Sequence, residues 1–313
     1  MPVLTTDDRR SFERDGYVKL SGVVPEEHCE AVVDAVWDCL GQDPDDPETW
    51  YDPPAGLDDH WDSRPGGFVK LFHHQALWDV RQHPRVYQAF AELLGEERLW
   101  TTIDQTGMKP PRHPDHPELD REFVHVDVDC RDVPRPVPRP YGLQGVVYLA
   151  DTTEEHGGFH CVPSLYRRRR EWLDGHDGEG RHPDLLGPDG GYADSPLDPG
   201  DVEAVPGEAG DLVVWDRLLP HGNGVNRTDE PRFAQYVAME PARFGDHEAR
   251  AARVASWREQ RPYFDHQTPD PREWERRNCE RADLTPLGRR LLGADPWEGW
   301  LSMADDYDYP AFT

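Results

Sequence analysis

The stretch FVHVDVDC, residues 123–130, alternates apolar and polar side chains with a period of two. Successive side chains of an extended strand point to opposite faces, so the three valines would share one face and His125, Asp127 and Asp129 the other. The pattern fits a half-buried antiparallel strand whose polar face meets water. It also fits a metal site, because an imidazole and a carboxylate two positions apart can grip one ion. A metal site needs a further ligand from elsewhere in the chain.

Strand-like segments with Gly, Pro and Asp between them surround this stretch and form a β core over residues 98–242. There are seven such segments: RLWTTIDQTGMKPP, REFVHVDVDC, YGLQGVVYLAD, GGFHCVPS, DVEAVPG, DLVVWDRLLPHG and RFAQYVAMEP. Many short strands separated by turn residues are typical of a β-sandwich or jelly roll. The sequence therefore predicts a mainly β fold.

Helical patterns flank the β core on both sides. Three N-terminal stretches (about residues 5–95) read as a capped helix with a following YVKL strand, the amphipathic helix PEEHCEAVVDAVWDCLG, and a second amphipathic helix in HPRVYQAFAELLG. A C-terminal extension, about residues 245–313, contains the helical segments HEARAARVASWREQ and LTPLGRRLLG. Because no repeat or linker interrupts the chain, we expect one domain over residues 1–313, with the N-terminal helices covering one sheet.

Composition excludes several classes of protein. The 313 residues carry a net charge of −28, which disfavours nucleic acid and anionic membrane surfaces as partners. We attribute the acidity to a hydrated surface suited to salt or to genome bias. No apolar run reaches membrane-spanning length, the N-terminus lacks a signal-peptide pattern, and the five cysteines have no paired spacing. These features predict a cytoplasmic protein with free thiols.

A third ligand candidate is His221, in the segment WDRLLPHGNG. Together with His125 and Asp127 it makes a set of two histidines and one carboxylate, which binds one face of a metal and leaves the other open, as in non-haem Fe(II) oxygenases. Asp129 shares the strand face but is not needed as a fourth ligand, so it is a candidate substrate contact.

An arginine that could bind a carboxylate follows His221 in the sequence. Arg232 lies eleven residues after His221 and enters a predicted strand, where its guanidinium can bind a carboxylate through two parallel hydrogen bonds. A dicarboxylate co-substrate would fit. Its neighbour Arg227 lies in the turn-like VNRTDEP, which we expect to be solvent-exposed.

In this order and spacing, the motifs resemble the phytanoyl-CoA dioxygenase family of Fe(II)/2-oxoglutarate oxygenases. The resemblance runs from about residue 10 to 242. The matching features are FERDGYVKLSGVVPEE, KPP at 109–111, HxD at 125–127, HGGFHCVPSLYRR, GEAGDLVVWDRLLPHG and the arginine at 232.

The resemblance implies a double-stranded β-helix (jelly roll, cupin-like), with iron bound by His125, Asp127 and His221. It implies that Arg232 binds the distal carboxylate of 2-oxoglutarate, that Lys70 is a second co-substrate contact, and that Gln144 points into the barrel near the cofactor. The implied cofactors are Fe(II), 2-oxoglutarate and O₂. The implied reaction is hydroxylation of an unactivated C–H bond of a small-molecule substrate, with release of succinate and CO₂.

Two departures from the family pattern lie where substrate specificity would be set. The chain reads VPSLYR where family members commonly read VPGSHR, and residues 170–201 form a long acidic segment that we expect to be a mobile substrate lid.

Two rival functions also remain. A halogenase on this fold would replace Asp127 with Gly or Ala. A cupin-like metal-binding protein or zinc hydrolase could use the same ligands but would not require Arg232.

Overall fold

The computed structural model describes residues 2–57, 67–129, 131–175, 185–186, 191–193, 195–243, 245–264 and 267–297. The helices of this part of the chain are α1 (Thr6–Asp15), α2 (Glu26–Leu40), α3 (Gln75–Arg81), α4 (Pro84–Leu94), α5 (Pro163–Arg167), α6 (Arg169–Gly175), α7 (His247–Glu259), α8 (Trp274–Asn278) and α9 (Pro286–Leu292). The strands are β1 (Tyr17–Leu20), β2 (Phe68–Val69), β3 (Leu99–Thr101), β4 (Thr106–Lys109), β5 (Phe123–His125), β6 (Leu143–Tyr148), β7 (Phe159–Cys161), β8 (Glu203–Ala204), β9 (Leu212–Asp216), β10 (His221–Asn223), β11 (Arg232–Tyr236) and β12 (Met239–Pro241).

The strands form two main antiparallel sheets. The major sheet has the order β1-β9-β6-β11-β4-β2, and the minor sheet has the order β5-β10-β7-β8. A separate two-stranded ladder joins β12 to β3. This is the jelly-roll arrangement with flanking helices that the sequence predicts.

The central strand β9 shows why the major sheet needs cover on both faces. Val213 and Trp215 belong to a core shared with residues of the minor sheet. The alternate residues Leu212 and Val214 belong to a second core with the N-terminal helices. Alternation along a strand sends successive side chains to opposite layers, so a strand with both faces buried reads as the continuous apolar run LVVW. The prediction that N-terminal helices cover one sheet is confirmed.

The strand predicted over residues 123–130 is shorter than its pattern suggests, because β5 ends at His125. Its partner β10 begins at His221, directly opposite His125. The next position on the partner chain is Pro220, which has no N–H to donate to a ladder. Val126 and Val128 are nevertheless buried in the core between the sheets. The alternation beyond His125 therefore reflects burial and not strand pairing.

Other boundaries also differ from the sequence prediction. Three segments predicted as single strands are each two strands, namely β3 with β4, β9 with β10, and β11 with β12. Helix α3 begins directly after His74. Five of its seven residues are buried, and Gln75 and Asp79 are the two that are less buried, so its amphipathic period is weak.

The C-terminal extension packs on the core through buried arginines. Arg253 of α7 is 2% exposed. Its guanidinium donates to the backbone carbonyls of Thr101, Leu291 and Leu292. These hydrogen bonds tie α7 to both β3 and α9. One domain over residues 1–313 stays a prediction, and residues 298–313 lie outside the described part of the chain.

Much of the predicted lid, residues 170–201, also lies outside the described residues. Within it, Leu185, Leu186 and Leu197 are buried in the core between the sheets, and the Leu185 N–H donates to the carbonyl of Val124 at 2.7 Å.

Four cysteines are free thiols as predicted, namely Cys29, Cys39, Cys161 and Cys279, while Cys130 is not among the described residues. No helix that the structure describes has the length and apolar character needed to cross a membrane.

Candidate metal centre

Three predicted ligands come together at the open end of the minor sheet. His125 and His221 are direct cross-strand partners on β5 and β10, and their ring centroids are 4.6 Å apart. Asp127 completes the group, with one ligand atom from each residue lying within 4.8 Å of the others. The Asp127 Oδ1 atom is 3.1 Å from His125 Nε2, and its Oδ2 atom is 3.5 Å from His221 Nε2. Two imidazoles and one carboxylate are a donor set that suits a non-haem Fe(II) ion.

Electrostatics keep this donor set ready for a cation. Burial alone would raise the pKa of the Asp127 carboxyl, but the neighbouring His125 and His221 side chains outweigh it and hold that pKa well below its usual range. Burial lowers the pKa of His221, although Asp127 opposes the shift. A carboxylate and a neutral imidazole are the forms that coordinate metals.

The tautomer of His221 is set by a backbone carbonyl two residues earlier in the chain. Nδ1 of His221 is 2.8 Å from the carbonyl of Leu219, so that nitrogen carries the proton and donates it. Nε2 is then free to act as a metal ligand, as in many metal sites where a backbone carbonyl orients the ring. Phe159 and Trp215 pack beside the same imidazole, with ring centroids 5.9 and 4.9 Å away. These rings make that side of the imidazole apolar.

Asp127 lies in a bend beyond the strand and is held by Gln144 of β6 and by Arg217, which directly follows β9. Gln144 Nε2 donates to Asp127 Oδ2 at 2.6 Å, and Arg217 Nη2 donates to the Asp127 backbone carbonyl at 2.6 Å. The predicted residue Gln144 therefore contacts a candidate metal ligand. Asp129, the candidate substrate contact, accepts two hydrogen bonds from the Arg131 side chain at 2.9 and 2.5 Å.

A second polar group between the two sheets consists of two cations. Arg232 on β11 lies directly opposite Lys109 on β4, so the two side chains share a face. Arg232 is 2% exposed and Lys109 is fully buried. The Nε and Nη2 atoms of Arg232 have no hydrogen-bond partner among the described residues. Lys109 Nζ donates to the carbonyl of Gly224 at 2.6 Å.

Arg232 faces the same interior as the metal ligands. Tyr236 follows it on the same face of β11, and the Tyr236 hydroxyl accepts a hydrogen bond from Asn223 Nδ2 at 3.3 Å. Asn223 is two residues beyond His221 on β10. The cations and the ligand triad therefore line one interior space between the two sheets. Arg227, by contrast, pairs with Glu122 and has a side chain 43% exposed.

Lys70 lies at the border of the C-terminal extension. Its Nζ is 3.5 Å from the carbonyl of Thr268. It lines a cleft of about 200 Å³ together with Phe72 and residues 259–262, 269–270 and 273–276. Its role as a co-substrate contact stays a prediction.

Tyr166 explains one departure from the family pattern. Its side chain is 2% exposed, its hydroxyl donates to Asp216 Oδ2 at 3.1 Å, and its ring covers Gly16 at the end of α1. A side chain in this buried position supports the packing of α1.

Three residues of the site were missed by sequence reasoning, namely Lys109, Trp215 and Arg217. The KPP motif contains Lys109 and was a signal for it, but nothing in the sequence reveals that Lys109 pairs with Arg232 across two strands.

Comparisons with known proteins place this site in a family. The family model described as phytanoyl-CoA dioxygenase (PhyH) matches residues 12–234. A "putative phytanoyl-CoA dioxygenase" of Dictyostelium discoideum is 24% identical over 264 residues, covering 74% of each chain. The "Ava biosynthesis cluster protein O" of Aspergillus versicolor is 24% identical over 271 residues, covering 78% of this chain and 80% of its own.

Among solved structures, the hypothetical protein JW0805 of Escherichia coli superposes with a TM-score of 0.65 at 16% identity, covering 93% of this chain and 82% of that one. This likeness concerns the fold.

The chain belongs to the phytanoyl-CoA dioxygenase family. It is accordingly an enzyme, an oxidoreductase of the dioxygenase type. Fe(II), 2-oxoglutarate and O₂ are the cofactor and co-substrates of that family, in agreement with the resemblance seen in the sequence.

Proposed function

We propose that this enzyme is an Fe(II)/2-oxoglutarate-dependent dioxygenase that hydroxylates an unactivated C–H bond of a small-molecule substrate. His125, Asp127 and His221 would hold the metal. Arg232 would bind the distal carboxylate of 2-oxoglutarate, with Lys109 as a second positive charge. When bound, Fe(II) and 2-oxoglutarate supply the oxidising power drawn from O₂, and 2-oxoglutarate becomes succinate and CO₂.

The observation that carries this proposal is the pair of buried cations. A buried charge is costly unless it meets an opposite charge, and two like charges side by side add repulsion. In the described part of the chain, no carboxylate lies within ion-pair distance of Arg232 or Lys109, and the Nε and Nη2 atoms of Arg232 lack an acceptor. An anionic ligand between the sheets would satisfy both residues.

The residues of the chain have separable tasks in this reaction. The triad fixes the position of the metal, and the cation pair fixes the end of 2-oxoglutarate remote from it. Holding the metal and 2-oxoglutarate in one orientation lowers the entropic cost of bringing the reacting groups together. The aromatic rings of Phe159 and Trp215 exclude water near His221.

The alternative function, a cupin-like metal-binding protein or zinc hydrolase with the same ligands, makes no use of the cation pair. Succinate formation from 2-oxoglutarate separates these functions. The purified enzyme should form succinate only when Fe(II), 2-oxoglutarate and O₂ are all present. It should do so slowly even when its hydroxylation substrate is absent. Hydrolysis of a substrate by the zinc-loaded enzyme in the absence of O₂, with no succinate formed under any condition, would favour the hydrolase.

A further inference from the structure

Asp127 is the only triad member that lies outside a strand of the described chain. His125 ends β5 and His221 begins β10, so the ladder between these strands fixes both histidines. Asp127 follows in a bend. A ligand without a strand ladder needs side-chain contacts to keep its position, and metal sites are commonly supported by such outer contacts.

Gln144 supplies this contact from the centre of the major sheet. Its Nε2 lies 2.6 Å from Asp127 Oδ2. On its other side, Trp215 Nε1 donates to Gln144 Oε1 at 3.2 Å. The indole N–H is a donor only, so it must face the carbonyl oxygen of the amide. The NH₂ group is thereby directed at the carboxylate, and the amide cannot be reversed without losing both hydrogen bonds.

The strand register makes this arrangement rigid. Gln144 and Trp215 are direct partners in the β6–β9 ladder, and both strands have neighbours on each side in the major sheet. Residues on inner strands are held more firmly than residues on loops, which suits a supporting contact for a functional group.

We infer that Gln144, oriented by Trp215, is a positioning residue that holds the Asp127 carboxylate for the metal. This inference rests on the proposed function. It gives Gln144 a role at the metal centre and none in contact with 2-oxoglutarate.

Metal affinity without 2-oxoglutarate tests the inference. The probe is Co(II), titrated anaerobically into the full-length apoprotein and followed by its visible absorption. Loss of a supporting contact typically weakens metal affinity by about 10- to 100-fold. We expect Gln144→Leu to raise the Kd for Co(II) by that factor and to change the shape of the absorption band. Trp215→Phe, which keeps a ring beside His221, should shift the Kd in the same direction by less.

A matched control exists on the neighbouring strand. Gln235 of β11 is buried, but its Nε2 donates to the carbonyl of Leu77, on the opposite face of the sheet. Gln235→Leu should leave the Kd for Co(II) unchanged. An equal rise in Kd for Gln144→Leu and Gln235→Leu would contradict the inference, because it would show only general disruption. Binding by Gln144→Leu within about two-fold of wild type would also contradict it.

Folding of each variant is checked by circular dichroism without metal. Should Gln144→Leu fail to fold, Gln144→Asn and Trp215→Phe decide the question by the same titration, with unchanged Kd values counting against the inference.

The proposed function can fail separately. If the wild type binds Co(II) but forms no succinate, the proposed function alone is overturned. The Kd values of the variants would still test whether Gln144 positions Asp127. Wild type that binds no metal would overturn both.

Discussion

Arg232 and Lys109 face each other on two paired antiparallel strands, and both side chains are buried between the two sheets. Two cations so placed repel each other. Burying N–H groups of Arg232 without a hydrogen-bond acceptor also costs free energy. We therefore propose that the pair binds an anion in the same interior space as the His125, Asp127 and His221 triad.

Replacing Arg232 should weaken 2-oxoglutarate binding strongly. Truncating one side of a buried ion pair typically costs roughly 2–5 kcal/mol, which corresponds to at least about a thirty-fold loss of affinity. Arg232→Ala should raise the KM for 2-oxoglutarate by that order. The matched control is Arg227→Ala, since Arg227 is exposed and paired with Glu122, and its KM should change little. A large defect in Arg227→Ala with a silent Arg232→Ala would show that the wrong arginine has been assigned.

The affinity for 2-oxoglutarate should fall as the pH rises through about 7. Burial and the neighbouring Arg232 lower the pKa of Lys109 to about 7, with Arg227 acting in the same direction and Glu122 and Asp120 opposing it. Below that pH the free enzyme carries the ammonium that attracts the ligand, and above it the ammonium is lost. Both carboxylates of 2-oxoglutarate stay ionised throughout.

The variant Lys109→Met isolates this effect. Its Kd for 2-oxoglutarate, measured by anaerobic titration of the metal-loaded enzyme between about pH 6 and 8.5, should be higher than that of wild type at low pH and independent of pH. If Lys109→Met kept the pH dependence of the wild type, another group would be responsible.

Stability should depend on the arginine that ties the C-terminal extension to the core. Arg253→Met removes the donor to the Thr101, Leu291 and Leu292 carbonyls and leaves them without that partner. We expect a loss of roughly 2–5 kcal/mol in the free energy of unfolding, measured by urea denaturation. Arg258→Met, at an exposed position of the same helix, should change it by less than about 0.5 kcal/mol. Equal stability of the two variants would mean that the extension contributes little to the fold.

Much of this architecture could be predicted from the sequence because the spacing of apolar residues and the signals that start and end helices are local. The helices α1, α2, α4, α7 and α9 coincide with predicted segments, since each has a clear start, end or apolar face. The triad was found because His125 and Asp127 are two residues apart and His221 follows a strand and a Leu-Leu-Pro corner.

The remaining features depend on how strands pair, which the local sequence does not record. The alternation of valines continues to Val128, but the ladder stops at His125 because its partner strand begins after Pro220. The contacts from Gln144 to Asp127 and from Lys109 to Gly224 arise only when distant strands are brought into register. Helix α3 gives only a weak amphipathic period because five of its seven residues are buried.

The central claim is that His125, Asp127 and His221 bind one Fe(II) to which 2-oxoglutarate is added. The most direct test is the visible absorption spectrum of the apoprotein after anaerobic addition of Fe(II) and 2-oxoglutarate. Wild type should show a weak charge-transfer band that saturates at one Fe(II) per chain, and His221→Ala should show none. A band that persists in His221→Ala, or a wild type that shows no band with both additions, would contradict the assignment.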